Sequence, residues 1–202
     1  MKSIPWITTL KPYRRTSTLN PLRVLLDAGY PPEKLHILIT GREPLHTWAS
    51  WATYWKKVTN LERFILAYKT TEMIRGMAYE HGIPVTCYVY EMFINNPVEN
   101  VFKKLFQRLD LVYTPYAISA WDKLPAFGTQ GSNIVLPEEP LPFITKNLHT
   151  SVEKASCFTY NNKSKRPQLL PEEDIEIIRH EGLFDIYDIW SEYCQNDLEI
   201  LL

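Results

Sequence analysis

The chain has 202 residues, of which 45% are hydrophobic and 22% charged, enough for one ordinary domain with its own core. Its net charge of −1 supplies no general basic field, which argues against bulk nucleic-acid binding. No stretch reaches the roughly 20 apolar residues that span a bilayer, and no apolar run follows Lys2 as a signal peptide requires, so a cytoplasmic protein without a membrane span is expected.

In chain order, residues 3–10 are apolar and β-branched and read as a strand that Pro5 confines to an edge or to a later start. Lys11, Arg14 and Arg15 follow, three cations in five positions, either a solvated loop or a set of phosphate or sulfate contacts. Residues 19–28 form a helix with Asn20 as cap, Pro21 at its first position and Leu22, Leu25 and Leu26 as its buried stripe. Gly29 and Tyr30-Pro31-Pro32 end it and lead into an Ile/Leu-rich strand at 35–39. Gly41 closes that strand, and Pro44 suits the first turn of a helix reaching about residue 57. Trp48, Trp51, Ala52 and Trp55 recur there at helical spacing and read as core, while His46 in the first turn reads as a surface or capped histidine.

Asn60 caps a helix over 61–80 with Leu61, Phe64, Ile65 and Tyr68 on one side, and His81-Gly82-Ile83-Pro84 stops it. Residues 84–90 make a β-branched, aromatic strand. Asn96-Pro97 opens a helix over 97–109 whose apolar face is Val98, Val101, Phe102, Leu105, Phe106 and Leu109. A helix is expected at 115–123, then a Pro/Gly-rich loop over 124–147 with a short strand at 133–136. Lys163, Lys165 and Arg166 mark a second basic loop. Pro171 and the acidic run Glu172-Glu173-Asp174 open a helix with Ile175, Ile178 and Leu183 inward, and an amphipathic helix with Ile186, Ile189, Trp190 and Tyr193 covers 184–202.

The order helix, turn, strand, loop, helix is an α/β rhythm and predicts a parallel sheet flanked by helices in one domain over 1–202. Strands 35–40 and 84–90 are expected to be adjacent and parallel, joined by a helical connection. Cys87, Cys157 and Cys194 are an odd, widely spaced set with neither zinc-type pairing nor a disulfide framework, so free thiols are expected. The histidines are scattered, no metal site is expected, and hydrolase, metalloprotease, dinucleotide and kinase motifs are absent.

The most informative stretch is 34–51. Arg42 follows a buried strand, at the carboxyl edge where open α/β sheets place their ligands, and Ser50 lies about two turns into the next helix. An arginine fork and a serine hydroxyl so arranged can grip one phosphate. Arg-x-Pro, five residues, then Ser, directly after a hydrophobic strand, resembles the 3′-phosphate-binding motif of the sulfotransferases, which use 3′-phosphoadenosine 5′-phosphosulfate as donor. The downstream segment is similar too: a long helix, a strand ending in Tyr90-Glu91, a short loop and a helix begun at Pro97.

The resemblance implies a P-loop nucleotide-hydrolase-like fold. It implies Arg42 and Ser50 at the donor's 3′-phosphate, Lys11 near the transferred sulfuryl group, and Lys163, Lys165 and Arg166 in a basic loop over the same phosphate. It further implies a small-molecule or carbohydrate acceptor and 3′-phosphoadenosine 5′-phosphate as product. The catalytic base is not identified. The family's Gly-rich phosphate loop has no counterpart, since no glycine precedes Gly29. Either the family's N-terminal portion is missing or the donor's 5′ end is held differently, and weak donor binding is expected from this chain alone. The alternative is a noncatalytic module on the same scaffold that binds a nucleotide, an anion or a protein partner. The bland reading of Arg42 is a side chain that caps a neighbouring carboxylate.

Overall fold

The computed structural model of the chain describes residues 20–54, 59–119, 155–160 and 167–202. The expected strand at 3–10, the cluster around Lys11, the 124–147 loop with its strand and the basic residues at 163–166 lie outside them.

Helix α1 (Pro21–Asp27) starts as its sequence predicts: the Asn20 side chain accepts from the Arg23 backbone N–H at 3.1 Å, and a proline stands at the first position. After a single turn at Pro32–Lys34 comes strand β1 (Ile37–Gly41), two residues later than the apolar run suggests. Leu35 is used to close the preceding turn, and Gly41 extends the strand instead of ending it. Helix α2 (Pro44–Tyr54) and helix α3 (Leu61–Glu80) lead to strand β2 (Val85–Val89). The two strands pair in parallel, from Ile37 with Val85 to Gly41 with Val89. A parallel pair cannot be closed by a tight turn, so the helical crossover through α2 and α3 is what makes it possible.

Helix α4 (Val98–Arg108) follows a turn at Tyr90–Phe93, and helices α5 (Glu172–His180) and α6 (Leu183–Leu198) complete the described fold. Gly182, at φ 73°, makes the left-handed joint between the last two. Helices α3 and α6 pack against the strands and against each other, and α4 packs on α6. The main core gathers Ile39, Phe64, Val89, Val101, Ile178 and Trp190, and a smaller cluster of Leu22, Ala78 and Ile83 ties α1 to the end of α3. Trp48, Trp51 and Ala52 pack in the core as expected, the Trp48 ring 5.4 Å from that of Phe64, and Trp55 lies outside the described residues. All three cysteines are free, Cys87 and Cys194 buried and Cys157 exposed. Among the described residues no helix is long and apolar enough to cross a membrane.

Five expectations are corrected. Leu25 is not part of the buried stripe of α1: it is 39% exposed, because the helix buries Leu22 against the end of α3 and leaves Leu25 outside that contact. Residues 115–117 form only a single turn, because the chain at 118–119 pairs elsewhere: Phe158 donates its backbone N–H to Ile118 at 2.8 Å and Ser119 bridges Cys157. Asn96 does not open α4. Its amide donates to the carbonyls of Met92 and Leu201, at 2.8 and 2.6 Å, and Pro97 takes the cap position. The last helix stops at Leu198, where Glu199 turns left-handed and allows Ile200 to be buried. Tyr193 is not inward: it is 37% exposed and lies beneath the Arg75 guanidinium, 5.0 Å from the ring centroid.

Candidate functional site

Arg42 leaves the carboxyl end of β1, and β2 ends beside it in Tyr90 and Glu91. The backbone of Arg42 and Glu43 is fixed by hydroxyls: Tyr68 of α3 donates to the Arg42 carbonyl, and Thr47 of α2 donates to the Glu43 carbonyl at 3.0 Å. Burial raises the Tyr68 phenol far above its ordinary pKa, so it remains a donor. The Arg42 side chain lies over Tyr90, with Cζ 4.9 Å from the ring centroid, a cation–π distance. Its Nε is buried, 4.0 Å from Glu91 Oε1, and has no hydrogen-bond partner among the described residues.

Glu91 is the hub of the loop. Its Oε1 accepts from the Glu43 backbone N–H at 3.2 Å, and its Oε2 accepts from the Tyr187 hydroxyl of α6 at 3.0 Å. Glu43 in turn accepts from the backbone N–H of His46 at 2.8 Å and lies 2.7 Å from that residue's Nδ1. Two N–H groups at the start of α2 are thus already taken by carboxylates. An anion here would be held chiefly by side chains, not by the backbone cradle of a glycine-rich loop.

Beneath Arg42 lies a cavity of about 330 Å³, walled by Gly41, Thr47, Trp51, Tyr68, Thr71, Tyr90 and Trp190 among others. Gly41 lets α6 approach: a Cβ there would stand 2.8 Å from Trp190 Cε3. Trp190 is held by Tyr68, stacked at 5.2 Å, and by an indole N–H donated to Glu72 Oε2 at 2.9 Å. Glu72 also receives a two-pronged contact from Arg75, at 2.8 and 2.7 Å, making a buried ion pair behind the cavity wall.

No known family model, curated protein or solved structure matches the chain. The geometry of the site therefore stands by itself.

Of the residues singled out from sequence, Arg42 lies in the cavity wall. Ser50 is half-buried on α2, one turn beyond His46, and is not among the residues lining the cavity. Lys11, Lys163, Lys165 and Arg166 lie outside the described residues, but both flanks of the second basic loop are described. Tyr160 packs on Tyr90 at 4.9 Å, and the turn Pro167–Leu169 packs on α2. The two ends of that loop therefore border the ring beneath Arg42 and the helix that carries Ser50. No group of acidic, histidine or cysteine side chains suited to a metal occurs among the described residues.

Sequence reasoning passed over Thr47, Tyr68, Glu72, Tyr187 and Trp190 as parts of this neighbourhood. A signal existed for one group. Phe64, Tyr68, Glu72 and Arg75 continue a single i, i+4, i+4, i+3 stripe, which places the charged pair on the buried face of α3. Tyr187 carried no such signal, since its role depends on a contact 96 residues away in sequence.

Proposed function

We propose that the chain is a sulfotransferase-type protein of P-loop-like architecture that grips the 3′-phosphate of 3′-phosphoadenosine 5′-phosphosulfate through Arg42, with Ser50 and the basic loop of Lys163, Lys165 and Arg166 completing the contact. The observation that carries this reading is the state of Arg42. Its guanidinium is oriented by Tyr90 and Glu91 at the carboxyl edge of a parallel pair, yet its Nε makes no hydrogen bond with the described residues. A guanidinium spent on capping a carboxylate would sit at hydrogen-bonding distance, near 2.8 Å. The 4.0 Å gap to Glu91 holds its charge without engaging Nε in a hydrogen bond among the described residues, which is what an arginine kept for an anion requires.

In the reaction the acceptor's hydroxyl or amine attacks sulfur, the bond from sulfur to the bridging phosphate oxygen breaks, and 3′-phosphoadenosine 5′-phosphate departs while the acceptor gives up a proton. Positioning and charge stabilisation carry most of such a transfer, as in phosphoryl transfer. Acceptors are small molecules or carbohydrates. A noncatalytic nucleotide- or anion-binding module is the second reading, favoured by Glu43 and Glu91 occupying the N–H groups at the start of α2.

The test is paired. Melting temperature and affinity for adenosine 3′,5′-bisphosphate and adenosine 5′-phosphate are measured for wild type, Arg42→Ala and Ser50→Ala. A charge-assisted bond is worth about 1.5–3 kcal/mol and a neutral one about 0.5–1.5, so Arg42→Ala costs the bisphosphate roughly 10- to 150-fold and Ser50→Ala less. The monophosphate is little affected by either. An unaltered bisphosphate preference in a well-folded Arg42→Ala protein refutes the reading. Preference for the bisphosphate without transfer from labelled donor selects the module.

A further inference from the structure

We propose that Tyr187 and Glu91 are positioning residues for Arg42: the Tyr187 hydroxyl holds one oxygen of Glu91 so that the carboxylate balances the arginine's charge without closing on its donors. This inference rests on the reading of Arg42 as the anion grip. A glutamate whose side chain is 18% exposed, near an arginine 28% exposed, would ordinarily make a direct, two-pronged contact. Here it does not. The oxygens of Glu91 face different elements: Oε1 takes the Glu43 backbone N–H at 3.2 Å, and Oε2 takes the Tyr187 hydroxyl at 3.0 Å. With one oxygen anchored to the loop after β1 and the other to α6, the carboxylate cannot turn both oxygens toward Arg42, and the Nε–Oε1 distance stays at 4.0 Å.

Tyr187 is suited to this task. Burial and the neighbouring Glu91 carboxylate raise its phenol well above the ordinary value, so it stays a donor across the working range of pH. Trp190, on the same helix, wedges against Gly41, the residue before Arg42, which limits how far α6 and the loop can shift relative to one another. On the other side, Tyr90 supplies the ring over which the guanidinium lies. The arrangement thus sets the arginine's direction by a ring, its charge by a carboxylate held at a distance, and that distance by a tyrosine from the far end of the chain.

Removing the hydroxyl frees Glu91 to swing onto Arg42 and compete with an incoming phosphate. The experiment measures affinities for adenosine 3′,5′-bisphosphate and adenosine 5′-phosphate, with melting temperatures, for wild type, Tyr187→Phe and the double variant Tyr187→Phe/Glu91→Gln. Tyr187→Phe is expected to weaken bisphosphate binding about tenfold with little change for the monophosphate, and the double variant to regain most of that loss, since a neutral amide does not draw the guanidinium. A purely structural tyrosine would lower the melting temperature of Tyr187→Phe and leave the ratio of the two affinities unchanged; that result overturns the proposal while the Arg42 reading stands. Loss in the single variant without recovery in the double also overturns it. A wild-type protein with no bisphosphate preference overturns both the Arg42 reading and this inference.

Discussion

Replacing Gly41 with alanine tests how closely the last helix is fitted to the strand that presents Arg42. The backbone at Gly41 is ordinary extended strand, so the glycine is needed for space and not for conformation. An ideal Cβ would stand 2.8 Å from Trp190 Cε3 and 3.3 Å from Val89 Cγ1. Carbon pairs rest at about 3.5–4.0 Å, so the indole or the strand must move by roughly 0.7–1.2 Å. Neither moves freely: Trp190 is 2% exposed, stacked on Tyr68 and bonded to Glu72, and Gly41 is paired with Val89 in β2. Overpacking of this kind costs about 1–3 kcal/mol, and the lower entropy of the unfolded alanine chain offsets about 0.4–1 of it. A net loss of about 1–2 kcal/mol corresponds to a fall in melting temperature of about 2–8 °C for a domain of this size. Urea denaturation and the near-UV circular dichroism of the tryptophans provide the assay. Adding Trp190→Phe sharpens it: on that background the alanine should cost less than it does in wild type, because the smaller ring yields the space. A Gly41→Ala protein as stable as wild type, with an unchanged near-UV spectrum, refutes the argument.

Two further outcomes follow from the interior. Glu72→Ala leaves Arg75 buried without its partner and Trp190 without its acceptor, and should cost about 3–5 kcal/mol in urea denaturation, whereas Glu72→Gln, which can still accept from both, should cost distinctly less; equal losses would contradict this. Alkylation at pH 8 followed by mass analysis should modify the exposed Cys157 and spare Cys87 and Cys194 until the protein is unfolded. Burial pushes the Cys87 thiol up to about 12 and raises that of Cys194, so both stay protonated and unreactive; modification of Cys87 as fast as Cys157 would refute it.

The described α/β skeleton was readable because its signals are local. Asn20 and Asn60 each cap a helix through their own side chain, and the β-branched run before Tyr90 makes the strand that its composition predicts. Arg42 could be singled out for the same reason, since strand, arginine and proline are neighbours in sequence. What escaped were decisions made by distant residues. Residues 118–119 abandon a helix because 157–158 offer a pairing partner. Asn96 stays outside α4 and reaches Leu201 instead, and Glu199 turns left-handed so that Ile200 can be buried. Tyr187 and Trp190 belong to the Arg42 neighbourhood only because α6 crosses the strands. Ser50 shows the converse: spacing put it on the helix after Arg42, where it lies, but the residues of that helix in the cavity wall are Thr47 and Trp51.

The dependence of the Arg42 loop on α6 has a consequence for how the protein is made. Helices α1 to α3 are local and can form while the chain is still emerging, and β1 can pair with β2 once residue 89 is out. The carboxylate of Glu91 still lacks the Tyr187 hydroxyl at that stage, and Gly41 still lacks the indole that covers it. A chain stalled before residue 183 would carry Arg42 at the end of its strand with Glu91 free to close on it. The Arg42 loop thus takes its described form only when α6 docks, so a product truncated before residue 183 is not a weaker version of this neighbourhood but one that lacks both the Tyr187 hydroxyl and the Trp190 indole.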